Sequence, residues 1–327
     1  MGTFRTLAPN DITNILGAYA LPGYRGHTPI AAGTVNTNLA VDLVDGRRVF
    51  LRINEGKDRA DVEREAQIVA HAARKGVLTP APFSTVDGLP FLTWKGLFVS
   101  VFPWISGHTL QRGDVGPSHA HSVGGAMARL HLAGDDLADR RAGRYESDEI
   151  ERRMMTIVQD ARSVSDPALA AALAILIPEL RACASARQGL PMGLIHGDLF
   201  IDNTLFGDDG ALVALLDFEQ ASWGRLAYDV AVSALAFGYG RDDFRPDVTR
   251  AFLEGYAHVR RPTPEERAAF ETELRFAACR FAVTRITDVY LRRTPGAPAG
   301  KDFNRYLKRL ASIKAQFAAG AGFLAWG

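Results

Sequence analysis

The hydrophobic period of this chain changes near residues 103 to 108, and that change constrains the fold more than any other feature. Before it, Leu39, Val41 and Leu43 alternate with polar or small neighbours, Asp45-Gly46 offers a hairpin turn, and Val49, Leu51 and Ile53 resume the period of two. Val62, Ala66, Val69 and Ala73 then recur at helical spacing between Arg59 and Lys75, and Gly76 is suited to end that helix. Short strands are predicted around Phe83 to Val86, Phe91 to Thr93 and Leu97 to Phe102, with Asp87-Gly88 turning between the first two; upstream, Asn10 is expected to cap a helix reaching about Tyr19. After Phe102-Pro103-Trp104 helical periods dominate, apart from the apolar runs Gly193 to Ile195 and Ala211 to Leu216. The pattern implies an α+β chain: residues 1–104 as a small antiparallel-sheet lobe with a helix, residues 105–327 as a larger, mainly helical lobe, and a cleft between them of the kind that holds ligands. The Ala/Gly-rich tail after Ala315 is expected to be poorly ordered.

Charge narrows the partners. With 38 Lys and Arg against 37 acidic residues, the net charge of +1 produces no strong field to gather nucleic acid or anionic lipid, so neither a nucleic-acid nor a membrane partner is expected and any anionic ligand must be held by local groups. Cys183 and Cys279 have neither metal-ligand spacing nor a disulfide framework around them, which fits a reducing compartment and a cytoplasmic location. The longest nearly uncharged helical stretch, Ala168 to Ile177 between two prolines, reads as too short to span a bilayer.

The most informative stretch is His196-Gly197-Asp198-Leu199-Phe200-Ile201-Asp202-Asn203, followed fourteen residues after Asn203 by Asp217 at the end of an apolar strand. Phosphoryl transfer needs a carboxylate to orient the attacking hydroxyl and oxygen ligands for magnesium, and Asp198, Asn203 and Asp217 supply such groups. A hairpin turning at Asp209-Gly210 would bring Asn203 and Asp217 together. An ordinary polar turn, with Asp202 and Asn203 as turn formers, is the alternative.

In these residues the chain resembles the aminoglycoside phosphotransferase and choline kinase superfamily, whose signature is a His-x-Asp-x-x-x-x-Asn loop followed by an Asp on the next hairpin. The resemblance implies a protein-kinase-like fold, ATP and Mg2+ as cofactors, Asp198 as catalytic base, Asn203 and Asp217 as magnesium ligands, and His196 as a brace for the loop. It also implies that Asp229, in Tyr228-Asp229, supports that loop, and that the His131 of Leu130-His131 is packed rather than a ligand. In the small lobe it places Arg52 on the ATP phosphates with Glu65 as its partner, although the family usually carries Lys there and an Arg presents a planar fork instead of a point charge. Gly33, Asn36 and Asn38 fall on the hairpin that would cover the phosphates. The linker from Val101 to Trp104, with Phe102 and Trp104, would meet adenine, between Phe50 and Leu205.

Within the superfamily the chain looks most like the homoserine kinases of this fold, through Ala32-Gly33, Asn36-Thr37-Asn38, Thr79-Pro80-Ala81-Pro82, Leu199-Phe200, Ala227 to Ala231, Arg280-Phe281, Thr284-Arg285 and Asp288, with an echo at Lys301-Asp302, Tyr306 and Arg309. That likeness implies L-homoserine as the small-molecule acceptor, a step in threonine biosynthesis. Arg285 and Asp288, three apart and on one helix face with Phe281, suit a carboxylate and an ammonium. Phe218-Glu219-Gln220-Ala221 departs from the aromatic residues usual after the metal-binding Asp, and Glu219 would attract an amine. Other readings are a kinase acting on an aminoglycoside, choline or a related amino alcohol, and a nucleotide-binding protein without catalysis. A protein-substrate kinase is disfavoured because no activation-segment pattern ending in Ala-Pro-Glu follows Asp217.

Overall fold

A computed structural model describes residues 5–30, 36–241, 243–292 and 302–326. The chain resolves into two compact units, Met1–Gly107 and His108–Gly327.

The first unit holds α1 (Pro9–Ala18), β1 (Tyr24–Pro29), β2 (Thr37–Leu43), β3 (Arg48–Asn54), α2 (Arg59–Arg74), β4 (Leu92–Trp94) and β5 (Leu97–Pro103). Its strands form one antiparallel sheet in the order β1-β2-β3-β5-β4. Alternation decides the faces. Leu39, Val41, Leu43, Val49, Leu51, Ile53, Val99 and Val101 share a core with Ile12, Ile15 and Leu16 of α1. The opposite face carries Arg52, Ser100 and Phe102, which line a small cavity with Val62, Glu65 and Val69 of α2.

Two local expectations for this unit are corrected. Ala8, not Asn10, is the N-cap of α1, because Pro9 presets the first-turn φ and the Asp11 carboxylate accepts the Ala8 N–H. Phe83 to Val86 form no regular strand: Phe83 donates to the Val101 carbonyl but Thr85 turns back to bond Leu89, so the segment makes a turn beside the sheet edge.

The second unit comprises α3 (Pro117–Ala133), α4 (Ser147–Gln159), α5 (Arg162–Ser165), α6 (Pro167–Ala186), β6 (Met192–Ile195), β7 (Thr204–Phe206), β8 (Leu212–Leu215), β9 (Ser222–Arg225), α7 (Leu226–Phe237), α8 (Pro246–Val259), α9 (Pro264–Arg285) and α10 (Asn304–Ala318). β6 pairs with β9 and β7 with β8, both antiparallel. The helix α7 is buried along its whole length and packs on α9, which also receives α4, α6 and α10. Helices α3 and α8 cross at backbone contact. A Cβ on Gly124 would stand 2.1 Å from the Phe252 carbonyl, and one on Gly255 2.1 Å from that of His121.

Here too the structure departs from expectation. The apolar run beginning at Ala168 does not stop at Pro178; α6 continues for 20 residues and, by length and composition, is long enough to cross a membrane. Both Ala174, whose carbonyl loses its helical donor, and Pro178 face solvent, so water can satisfy that carbonyl. The other face of α6 buries Leu169, Ala172, Leu176 and Cys183, and its Glu179 is paired with Arg275 and Lys314. The Ala/Gly-rich tail is likewise ordered where described: Phe323, Leu324 and Trp326 are buried, the rings of Phe323 and Trp326 lying against Phe244, Tyr256 and Phe270. Burial of these three apolar side chains opposes the entropy that ordering this short segment costs.

Candidate active site

The chemistry-bearing loop of the helical unit leaves β6 at His196 and re-enters the β7–β8 hairpin at Thr204 through a single 3-10 turn, Ile201–Asn203. Gly197 makes the reversal possible: its φ is +77°, and a Cβ there would meet the Gln220 carbonyl at 2.8 Å. Asp229, fully buried in α7, accepts the backbone N–H groups of His196 at 2.8 Å and Gly197 at 2.7 Å. From the other side His131 Nε2 lies 3.1 Å from the same carboxylate, and its Nδ1 is 2.7 Å from the Tyr256 hydroxyl. Burial by itself would raise the Asp229 pKa, but the hydrogen bond and charge of His131, the charge of His196 and its backbone N–H hold it below the ordinary carboxylate value. The loop is therefore anchored to α3, α7 and α8 by one buried, charge-assisted network.

A second set of bonds couples the loop to the hairpin. The Asn203 side-chain amide donates to the Asp198 carbonyl at 2.8 Å, the Leu216 N–H donates to the Asn203 carbonyl at 2.9 Å, and His196 Nε2 is 2.9 Å from the Leu216 carbonyl. These bonds bring Asn203 beside the residue that precedes Asp217. Asp217 itself adopts a left-handed conformation, φ 63° and ψ 70°, which turns the chain into the 3-10 turn Phe218–Gln220 carrying Glu219. His196 is fully buried against the Phe218 ring, 4.8 Å between centroids, so its place is within the loop's support.

Asp198 is partly exposed, at 37%, and Nη1 of Arg280 of α9 stands 3.7 Å from its Oδ1. Arg280 is 3% exposed and its guanidinium lies between the rings of Tyr145, 3.6 Å away, and Phe281, 3.9 Å away. The sequence marks Arg280 only as part of a longer likeness. Its closeness to Asp198 arises from contact between elements some eighty residues apart, which no local pattern reports.

Can these residues hold magnesium? Asn203 and Asp217 offer oxygen donors on adjacent backbone, and no cluster of three or more His, Cys, Asp or Glu ligands occurs among the described residues. Magnesium bound through one or two protein oxygens plus substrate phosphates fits such a set better than a metal needing an all-protein cage.

In the sheet unit, Arg52 Nη1 donates to Glu65 at 2.8 Å and Lys57 Nζ to its other oxygen at 2.7 Å. All three side chains are nearly buried, 13%, 14% and 12% exposed for Arg52, Lys57 and Glu65, so the pair is not a solvated surface pattern. Burial would raise the Glu65 pKa, and the two cations overcome it and lower it. Lys57 carries no signal in the sequence, because it lies in the turn after β3 and not on a strand. Arg52 also stands 5.8 and 5.6 Å from the rings of Phe50 and Phe102, and its register neighbours are Asn38 and Ser100. Asn36 accepts the Glu55 N–H, Trp104 lies under Arg48, and Leu205 sits part-buried on β7; Gly33 lies outside the described residues.

Arg285 and Asp288 do not share a face. After Arg285 the helix widens into a π turn, Ile286–Tyr290, so a spacing of three no longer stacks. Arg285 donates to the Asp302 carbonyl at 3.1 Å and lies over Tyr306, whereas Asp288 is held by Arg153 of α4 at 2.9 and 3.1 Å.

Comparison with known proteins is consistent with this geometry. The phosphotransferase enzyme family matches residues 26–270. A homoserine kinase of Xanthobacter autotrophicus is 32% identical over 312 residues, 95% of each chain, and one of Mesorhizobium japonicum is 30% identical over 311 residues, again 95% of each. Among solved structures, a microcompartment-associated aminopropanol kinase superposes with a TM-score of 0.73 at 16% identity, covering 95% of this chain and 98% of the other. An aminoglycoside phosphotransferase from Alicyclobacillus acidocaldarius gives 0.68 at 18% identity, covering 99% and 96%. These structural likenesses establish the kinase-like fold expected from the sequence.

Proposed function

Because the chain belongs to the phosphotransferase enzyme family and is a small-molecule kinase, we propose that its acceptor is L-homoserine, phosphorylated by ATP at the side-chain hydroxyl. One observation carries the choice of acceptor: homoserine kinases match nearly the whole chain at 30% identity or more, through both units.

The roles follow from the site. Asp198, exposed enough to reach a ligand and steered by Arg280, accepts the proton as the acceptor hydroxyl attacks the terminal phosphorus of ATP. Asn203 and Asp217 would hold magnesium, which when bound neutralises charge on the phosphates. His196 and Asp229 position the loop and do not react. In the sheet unit Arg52, aligned by Glu65, contacts ATP phosphates, with Lys57 as a second cation on the same carboxylate. Arg285 is the reader of the acceptor carboxylate: it is part-buried and forms no ion pair among the described residues. Asp288 is committed to Arg153, so the acceptor ammonium falls to Glu219, next to the metal-binding Asp.

A coupled ADP-release assay across amino acids and amino alcohols tests the reading. Homoserine should exceed choline, ethanolamine and 4-amino-1-butanol by at least roughly tenfold in kcat/KM, since an acceptor without a carboxylate leaves a desolvated Arg unpaired. Arg285→Ala should erase most of that preference. Faster turnover of choline or an aminoglycoside would overturn the acceptor while leaving the kinase in place.

A further inference from the structure

A cavity of about 940 Å³ opens in the helical unit where the segment after residue 108, the end of α7, the start of α8 and the start of α10 converge. Its lining includes Arg112, Arg241, Arg245, Arg305 and Lys308 against one carboxylate, Asp302. None of the five cations forms an ion pair among the described residues, although the rest of the molecule pairs many of its arginines. Asp302 gives little relief, because its Oδ1 already accepts from the backbone and side chain of Asn304.

The cations are placed by structure rather than scattered. Arg112 Nη1 donates to the carbonyls of Ala236 and Tyr239, both at 2.7 Å, which fixes the guanidinium at the end of α7. Arg245 in turn donates to the Arg112 carbonyl at 3.2 Å. Arg245 is also the N-cap of α8, and Asn304 and Arg305 open α10, so the positive ends of two helices border the same space. Like charges crowd one another here: burial first, then Arg305 and Arg245, lower the pKa of Arg112. One turn along α10 from Arg305, Arg309 is 1% exposed; its Nη1 donates to the Leu235 carbonyl at 3.0 Å but its Nε has no hydrogen-bond partner among the described residues, and burial, with Arg305 and Arg112 adding to it, brings its pKa down to about 10. Assembling unpaired cations is unfavourable unless something anionic shares the site.

We propose that this basin binds a small molecule bearing a phosphate group, whose two negative charges and several acceptor oxygens match Arg forks better than a lone carboxylate would. The basin is tied to the catalytic loop through α7: Arg112 binds the Ala236 carbonyl near its end, and Ser233, one turn earlier, donates to the Leu199 carbonyl of the loop at 3.1 Å. Two sources share this chemistry: the phosphorylated acceptor on its way out, which rests on the kinase reading above, or a separate phosphate-bearing effector, which does not.

Calorimetry on the nucleotide-free full chain, at moderate salt, with inorganic phosphate and O-phospho-L-homoserine as probes, tests the site. Wild type should bind at least one probe with a Kd on the order of millimolar or tighter. The double variant Arg305→Glu, Lys308→Glu, at two exposed positions, should weaken binding by about tenfold or more with the melting temperature unchanged, whereas Arg181→Glu on α6 should leave it unchanged. No binding by wild type, or equal affinity in the double variant, overturns the proposal. Kinetics then separate the sources. Inhibition by the phosphorylated acceptor that competes with acceptor and fades in the double variant supports the site as a product seat, and a phosphate effect that does not compete with acceptor but also fades supports it as an effector seat.

Discussion

Two of the arginine–carboxylate pairs along α9 are built differently. At Glu273 the pair is closed: Arg187 Nε stands 2.9 and 3.0 Å from the two carboxylate oxygens, its Nη1 donates to Ser147 at 2.6 Å, the guanidinium covers the Phe276 ring at 3.3 Å, and neither side chain is more than 1% exposed. Seven residues on, about two turns, Arg280 is also buried, yet the carboxylate of Asp198 stands 3.7 Å from it and is partly exposed. The closed pair can only hold α9 to the segment after α6. The open one keeps its acid reachable by a ligand while a fixed positive charge restrains it. Separation and exposure, rather than the presence of an ion pair, mark which carboxylate is available for chemistry.

Substitutions that break each pair should therefore fail in different currencies of measurement. Asp198→Ala should lower kcat by a factor on the order of 10²–10⁴, the contribution of a positioned proton acceptor, and leave ATP binding intact by calorimetry; comparable turnover would remove Asp198 from the mechanism. Glu273→Ala should do the reverse. It strands a buried guanidinium, so denaturant unfolding should show a loss of about 3–5 kcal/mol, while kcat per folded molecule stays near wild type. Arg280→Met keeps the apolar stem between Tyr145 and Phe281 and should reduce kcat by roughly tenfold with little change in the KM for ATP; Arg280→Lys should recover part of it, which a purely structural role would not produce. The smallest effect is expected in the sheet unit, where Arg52→Ala should raise the KM for ATP by several-fold, about 1 kcal/mol, because Lys57 remains on Glu65. Unchanged ATP kinetics there would leave Arg52 with a structural role only.

Much of the fold could be read from local chemistry. Asp45-Gly46 and Asp209-Gly210 turn their hairpins as expected, with Gly46 at φ 87° and Gly210 at φ 78°, and the alternation from Leu39 to Ile53 sorts the buried residues of β2 and β3. What escaped depends on partners distant in sequence. β9, Ser222–Arg225, has no apolar alternation and exists because β6 offers it a ladder. The tail after Ala315 is ordered by rings belonging to α8 and α9. For the site, the spacing from His196 to Asn203 was legible because one short loop carries it. The split between Arg285 and Asp288 was not, since a π turn leaves the sequence period unchanged until the backbone bonds are seen, as in the Leu291 N–H donating to the Ile286 carbonyl. Lys57 and Arg280 reach their carboxylates across turns and helices that no window of sequence spans.

The left-handed backbone of Asp217 has a consequence for how this sequence could evolve. A non-glycine residue in that region costs on the order of 1 kcal/mol or more, a cost that Gly escapes and that Asp and Asn bear more easily than other residues. Folding alone therefore favours Gly over the very carboxylate assigned to the metal. A library randomised at this position and sorted only for expression should enrich Gly, whereas one sorted for turnover should return Asp, so the two selections pull one codon in opposite directions.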